Sequence, residues 1–155
     1  MHSAGVLIHD GRGQVLLGLQ YGRWASFSGK ANPGETPAQT ATRECHEETL
    51  FVLGERLRDL EAHPRLESIT PKGNVFHLYV LRLEYDAALP GAFERVRAAQ
   101  TYRTAAGCNE TDALMWLRWD DLPRLRLRSS LRNDLARVRR IVQTQSQNFD
   151  DRITK

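Results

Sequence analysis

The stretch from Gly29 to Phe51, GKANPGETPAQTATRECHEETLF, constrains this chain more than any other, because it prescribes a loop, a helix start and a charged helix face in succession. Pro33-Gly34 is a turn signal, Thr36 suits an N-cap and Pro37 suits a first helical position. The residues from Ala38 to Thr49 carry few helix breakers. A helix turns about 100° per residue, so Glu44, Glu47 and Glu48, at i, i+3 and i+4, share one face. Like charges at that spacing destabilise an isolated helix by a few tenths of a kcal/mol per pair, so the face requires compensation. A hard divalent cation, Mg²⁺ or Mn²⁺, supplies it through carboxylate, carbonyl and water oxygens, and leaves positions for phosphate oxygens. Arg43 supplies a second form, since it precedes Glu47 by one turn and can reach back to Glu35 in the loop.

The spacing G-x5-E-x7-R-E-U-x-E-E-x-G-U, where U is apolar, resembles the Nudix box of the MutT-like hydrolases. Gly29, Glu35, Arg43, Glu44, Cys45, Glu47, Glu48 and Phe51 match it, and Leu50 stands where the box has glycine. That glycine normally allows a left-handed turn after the helix, so Leu50 predicts a different helix exit with a longer last turn. The resemblance implies an α/β fold, a mixed sheet sandwiched between helices (α/β/α). It also implies metal-dependent hydrolysis of a phosphoanhydride in a nucleoside diphosphate linked to another moiety. Carried over by residue, it makes Glu44, Glu47 and Glu48 metal ligands, with the Ser28 backbone carbonyl as a further oxygen. Gly29 and Glu35 become structural residues of the box, and Arg43 orients the acids. Many relatives add an acid from outside the box, for which Glu110 is the best-placed candidate. Substrate contacts are expected from Arg23, Trp24, Phe27 and Lys30 around the box entrance, with Tyr21 nearby, where a ring could stack on a base and cations could meet phosphate. Within this class, small nucleotides compete with mRNA caps and diphosphoinositol polyphosphates, and a catalytically silent Nudix-like binding module is the alternative outside it.

Length and charge bound the rest. A chain of 155 residues, 41% hydrophobic, is enough for one well-filled core, so a single domain is expected over 1–143 with a polar tail over 144–155. No segment approaches the roughly 18 consecutive apolar residues of a membrane span, and the N-terminus lacks a charged region followed by an apolar run. A soluble, cytoplasmic protein is therefore expected. Cys45 and Cys108 are the two thiols, without zinc-ligand spacing, and Cys45 belongs on the inner side of the box helix. The net charge of +3 hides an uneven distribution: Leu122 to Val142 holds seven arginines and one aspartate, about +6, against about −3 elsewhere. Within it Leu131, Leu135, Val138, Ile141 and Val142 recur at helical spacing, which predicts an amphipathic helix capped by Ser129 or Ser130 and ending near Gln143. Its arginines would face water or, as an Arg-rich segment over 124–140, an RNA.

Along the chain, Ala4 to His9 and Gln14 to Leu19, separated by Asp10-Gly11-Arg12-Gly13, read as a hairpin. Glu67 to Thr70 and Val75 to Glu84 read as a second one, whose later strand is apolar on both faces and so central. Asp86 to Gly107 reads as an insertion with a short helix around Phe93 to Ala99. Ala113 to Trp119 reads as a further strand, followed by a turn at Asp120-Asp121-Leu122-Pro123. His46, between the acids, is expected to be exposed, and His9, His46, His63 and His77 have no coherent partner pattern.

Overall fold

In the computed structural model, which describes residues 1–100 and 110–153, the strands are β1 (His2–His9), β2 (Gln14–Gln20), β3 (Arg23–Ala25), β4 (Phe27–Lys30), β5 (Arg65–Ile69), β6 (Val75–Arg82) and β7 (Thr111–Arg118). The helices are α1 (Pro37–Glu48), α2 (Leu89–Ala99) and α3 (Ser129–Ile153), and a 3₁₀ turn over Trp119–Arg124 leads into α3. Cys108 lies outside the described residues. Among the described residues, no helix is long and apolar enough to cross a membrane.

The strands form one mixed sheet in the order β3-β2-β1-β6-β5, with β4 also paired to β1 and β7 to β2. β1 runs parallel to β6 along its length, and the other pairings are antiparallel. Both expected hairpins form, but the first one forks. β1 and β2 pair only at Ile8↔Leu16 and His9↔Val15, after which β1 takes β4 and β2 takes β7. A loop over 31–36 then leads from β4 into α1.

Period-two alternation with both faces buried explains the layers. Ala4, Val6 and Ile8 of β1, Leu16 of β2 and Tyr79 and Leu81 of β6 pack with Ala41 and Cys45 of α1 and Leu89 and Phe93 of α2. The intervening residues Leu7, Val15, Leu17, Leu78 and Val80 pack with Leu131 and Val138 of α3. The result is the expected α/β/α sandwich. β6 lies between β1 and β5, as its two apolar faces predict.

Several boundaries differ from the sequence expectation, among them those of α2, β7 and α3. α2 begins at Leu89 instead of near Phe93, because Leu89 and Phe93 are both driven into the first core. β7 starts two residues earlier than expected, at Thr111, which is itself buried. α3 does not end near Gln143 but continues to Ile153. Among the described side chains, polar contacts hold its extension. Gln145 Nε2 donates to the Val80 carbonyl at 3.2 Å, Gln145 Oε1 lies 2.6 Å from His9 Nε2, and Ser146 Oγ donates to the Gly11 carbonyl at 3.1 Å. A helix anchored through glutamine and serine carries no hydrophobic periodicity, so its sequence reads as a tail.

Candidate functional site

α1 starts where the sequence places it. Thr36 and Gln39 form a reciprocal capping box: Gln39 N–H donates to Thr36 Oγ1 at 3.2 Å and Thr36 N–H to Gln39 Oε1 at 2.9 Å, with Pro37 in the first turn. The preceding loop is tied down by Glu35, whose Oε1 accepts from the Asn32 N–H at 2.6 Å. Arg43 then joins loop, helix and strand. Its Nε and Nη2 donate to the two oxygens of Glu35 at 2.8 and 2.9 Å, its Nη2 also to the Lys30 carbonyl at 2.9 Å, and its Nη1 to Glu44 Oε1 at 2.7 Å and Glu47 Oε2 at 3.4 Å. The bidentate fork holds the Glu35 carboxyl at a pKa of about 2, chiefly through the hydrogen bond from Arg43, and raises the pKa of Arg43 in return.

The three helix acids stand in different environments. Glu47 lies on the cleft wall. Glu44 lies against the backbone of Gly29: a Cβ there would come within 2.2 Å of the Glu44 carboxylate carbon, so only glycine admits it. Burial raises the pKa of Glu44 above the ordinary carboxylate value, against the pull of Arg43. Glu48, 1% exposed, is pushed up to about 8, first by burial and then by the charges of Glu44 and Glu110, while a hydrogen bond from Gln20 works the other way. One of its oxygens, Oε2, accepts from Gln20 Nε2 at 2.6 Å, the other, Oε1, is buried without a hydrogen-bond partner, and the Ser28 backbone N–H also pulls the carboxyl's pKa down.

Glu110 is half-buried, and its charge acts on both Glu44 and Glu48, so the fold brings the expected extra-box acid to the same place. Ser28, Gly29, Lys30, Arg43, Glu44, Glu47 and Glu110 line one cleft of about 750 Å³. Its far wall comes from the β5–β6 hairpin, with Ile69, Pro71 and Phe76, and from the start of α3, with Arg128, Ser129 and Asn133. Among the described residues, no three His, Cys, Asp or Glu side chains already stand together as a coordination cluster. Arg43 draws Glu44 and Glu47 towards itself while Gln20 holds Glu48. The donors present are nonetheless all oxygens with one buried oxygen unpaired, a set that fits a hard divalent cation and excludes a soft one.

The expected substrate contacts are only partly brought together. Lys30 lines the cleft, but Arg23, Trp24 and Phe27 do not. Phe27 is wholly buried in the first core, so it has no face for a base, and Trp24 packs against the α3-side core. Arg23 is exposed on β3, and Tyr21, 77% exposed, occupies the β2–β3 turn. His46 is not exposed but half-buried, its ring stacked on Phe51 with centroids 5.1 Å apart. Gln20 and Arg128 were missed. Gln20 reaches Glu48 of α1 across 28 positions and Arg128 reaches Gln20 across 108, and nothing local in the sequence signals either. Of the basic segment, Arg124, Arg137 and Arg139 pair with Asp121, Asp134 and Asp120, and Arg128 bonds Gln20.

A model of the NUDIX domain matches residues 1–138 of this chain. No curated protein sequence matches it significantly. Among solved structures it is similar to an Ap4A hydrolase binary complex from C. elegans, with TM-score 0.59, 17% identity, and coverage of 96% of this chain and 98% of that one. It is also similar to the Nudix hydrolase RenU from M. smegmatis, with TM-score 0.54, 19% identity and coverage of 92% and 86%. For DR0079 from Deinococcus radiodurans the values are 0.53, 17%, 90% and 81%. At these identities the structures establish the shared fold.

Proposed function

The chain belongs to the NUDIX domain family and is a pyrophosphohydrolase of that family; on that premise we propose that it cleaves, with a divalent cation, a phosphoanhydride in a small nucleotide derivative. The observation that carries this reading is the placement of Glu44, Glu47 and Glu110 around one cleft, with the buried Glu48 behind them and Arg43 clamped between Glu35 and the helix acids. Glu44, Glu47 and Glu48 would hold Mg²⁺ or Mn²⁺, with the Ser28 carbonyl and Glu110 as further oxygens. A cation bound there supplies charge neutralisation of the diphosphate and polarises its P–O bonds. Arg43 keeps the acids in register through the Glu35 fork, so its replacement costs activity through geometry. Glu44, which lines the cleft, is placed to orient or deprotonate an attacking water.

The cleft walls favour a nucleotide over an inositol polyphosphate. Ile69 and Pro71, exposed over the largely buried Phe76, offer an apolar surface suited to a base, whereas the lining cations are Lys30, Arg128 and an Arg43 already held by Glu35. That is too little free positive charge for a ligand phosphorylated on all sides. RNA ranks lower because three of the seven arginines of the basic segment, Arg124, Arg137 and Arg139, are engaged by aspartates and Arg128 bonds Gln20.

The test is nucleotide and phosphate release from nucleoside triphosphates, dinucleoside polyphosphates, nucleotide sugars, capped RNA and diphosphoinositols, with Mg²⁺ or Mn²⁺, by wild type and Glu47→Gln. Turnover of one small-nucleotide class, falling at least a hundredfold in the variant, is the expected result. Ligand binding without turnover by folded wild type would replace the enzyme with a binding module, and turnover confined to capped RNA or diphosphoinositols would overturn the substrate class.

A further inference from the structure

Gln20 is the last residue of β2, and the β2–β7 register shifts between Leu19 and Gln20. Such an irregularity re-aims a side chain, and here it accompanies a glutamine that is 1% exposed. The buried amide is satisfied on both ends. Its Nε2 donates to Glu48 Oε2 at 2.6 Å and to Thr111 Oγ1 at 3.2 Å, and its Oε1 accepts from Arg128 Nη1 at 3.0 Å.

The orientation of that amide follows from its neighbours. A guanidinium has donors and no acceptors, so it takes the amide oxygen, which leaves the amide nitrogen to face Glu48 and Thr111. Turning the amide over would set N–H groups against the Arg128 guanidinium. Arg128 thereby decides which end of Gln20 meets Glu48. Arg128 is itself fixed by its backbone: its N–H donates to the Trp24 carbonyl at 2.9 Å, the Trp24 N–H to the Arg126 carbonyl at 2.8 Å, and Leu127 between them is buried. Its side chain reaches the cleft lining, so a chain of hydrogen bonds runs from the cleft surface to Glu48.

We propose that Gln20, oriented by Arg128, is a positioning residue that ties down Glu48 Oε2 and thereby presents Oε1 as the oxygen that binds the cation. This rests on the reading of Glu48 as a cation ligand. An unpaired buried carboxylate oxygen is costly unless something binds it, and the opposite oxygen is the one held by a short bond from a fixed donor. Gln20 does not touch substrate in this account. It acts through Glu48, as partners behind a ligand do elsewhere.

The experiment measures Mn²⁺ binding to the free protein, by the electron paramagnetic resonance of unbound Mn²⁺, for wild type, Gln20→Met, Glu48→Gln and the double variant, with thermal melts on each. Methionine keeps the length of the side chain and removes both kinds of hydrogen bond. Gln20→Met is expected to weaken Mn²⁺ about tenfold and to lower kcat with KM within about twofold. The double variant is expected to bind no more weakly than Glu48→Gln alone, because Gln20 has nothing to act through once Glu48 is gone. Arg128→Met shifts affinity the same way by a smaller factor, and Arg128→Lys recovers it, since an ammonium still donates to Gln20 Oε1.

Wild-type affinity in Gln20→Met, or a full additive loss in the double variant, would overturn the proposal. Should Gln20→Met fail to fold, wild-type affinity in Arg128→Met overturns it instead. Wild-type protein that binds no Mn²⁺ removes the cation reading along with this one, whereas wild-type binding with an unaffected Gln20→Met removes this one alone.

Discussion

Arg43 and Glu48 show how far one residue's behaviour depends on its surroundings. Arg43 is set by sequence-local partners: Glu35 eight positions away, Glu44 adjacent and Glu47 one turn on. Glu48 is set by burial, by Glu44 one turn back and by Glu110 far along the chain, which lift it to about 8. A carboxyl whose folded pKa is raised binds its proton more tightly when folded. Its contribution to stability is complete below the ordinary value of about 4.5 and is lost as pH rises through about 8. Glu48→Gln removes that loss. With no divalent cation added, the variant should therefore melt at least about 2 °C above wild type at pH 8.5 and no higher at pH 4, as read by calorimetry. An equal Tm at pH 8.5 would show that Glu48 is not raised. Glu35 behaves oppositely: its depressed carboxyl stabilises above about 4.5, and that support is lost as pH falls towards 2. The Glu35–Arg43 pair was legible in the sequence because its partners lie close along the chain, and the Glu48 environment was not.

At the scale of elements, the exit of α1 overturns an expectation drawn from Leu50. The helix ends at Glu48 without a longer last turn, and Leu50 adopts the left-handed conformation itself, with φ +51°, followed by Phe51 at +62°. Phe51 N–H donates to the His46 carbonyl at 2.8 Å and Leu50 N–H to the Glu47 carbonyl at 3.3 Å, the two bonds of a Schellman cap, and the His46–Phe51 ring stack completes it. A side chain in this conformation costs roughly 1–2 kcal/mol. Leu50 is 6% exposed and belongs to the first core, and removing a buried leucine costs about 2–5 kcal/mol. Burial outweighs strain. Leu50→Gly, which restores the residue the box normally has, should therefore destabilise the protein by about 1–3 kcal/mol in urea unfolding. A stabilised variant would mean the strain is the larger effect.

For the whole molecule, α3 decides where the folded unit ends. A boundary at 143 follows from the sequence, yet Gln145 and Ser146 bond His9, Val80 and Gly11 on the far side of the sheet. His9 is buried, accepts the Gly11 N–H at Nδ1 and so carries its proton at Nε2, facing Gln145. A chain truncated after 143 loses three hydrogen bonds at about 1 kcal/mol each and should lose about 3 kcal/mol of stability in denaturant unfolding. An unchanged midpoint would support the boundary at 143 instead. The sequence by itself determined the family, the capped acidic helix, the clamp of Arg43 on Glu35 and the layered α/β sandwich. Each rests on residue spacing within one element or on hydrophobic alternation, and both are properties of the local chain. Only the tertiary structure decided that Phe27 and Trp24 pack inside, that Gln20 and Arg128 stand behind Glu48, and that α3 runs on to Ile153. Those outcomes depend on which strands part at the fork and which side chains then face one another across it, and no spacing along the chain encodes a contact between residues 20, 48 and 128.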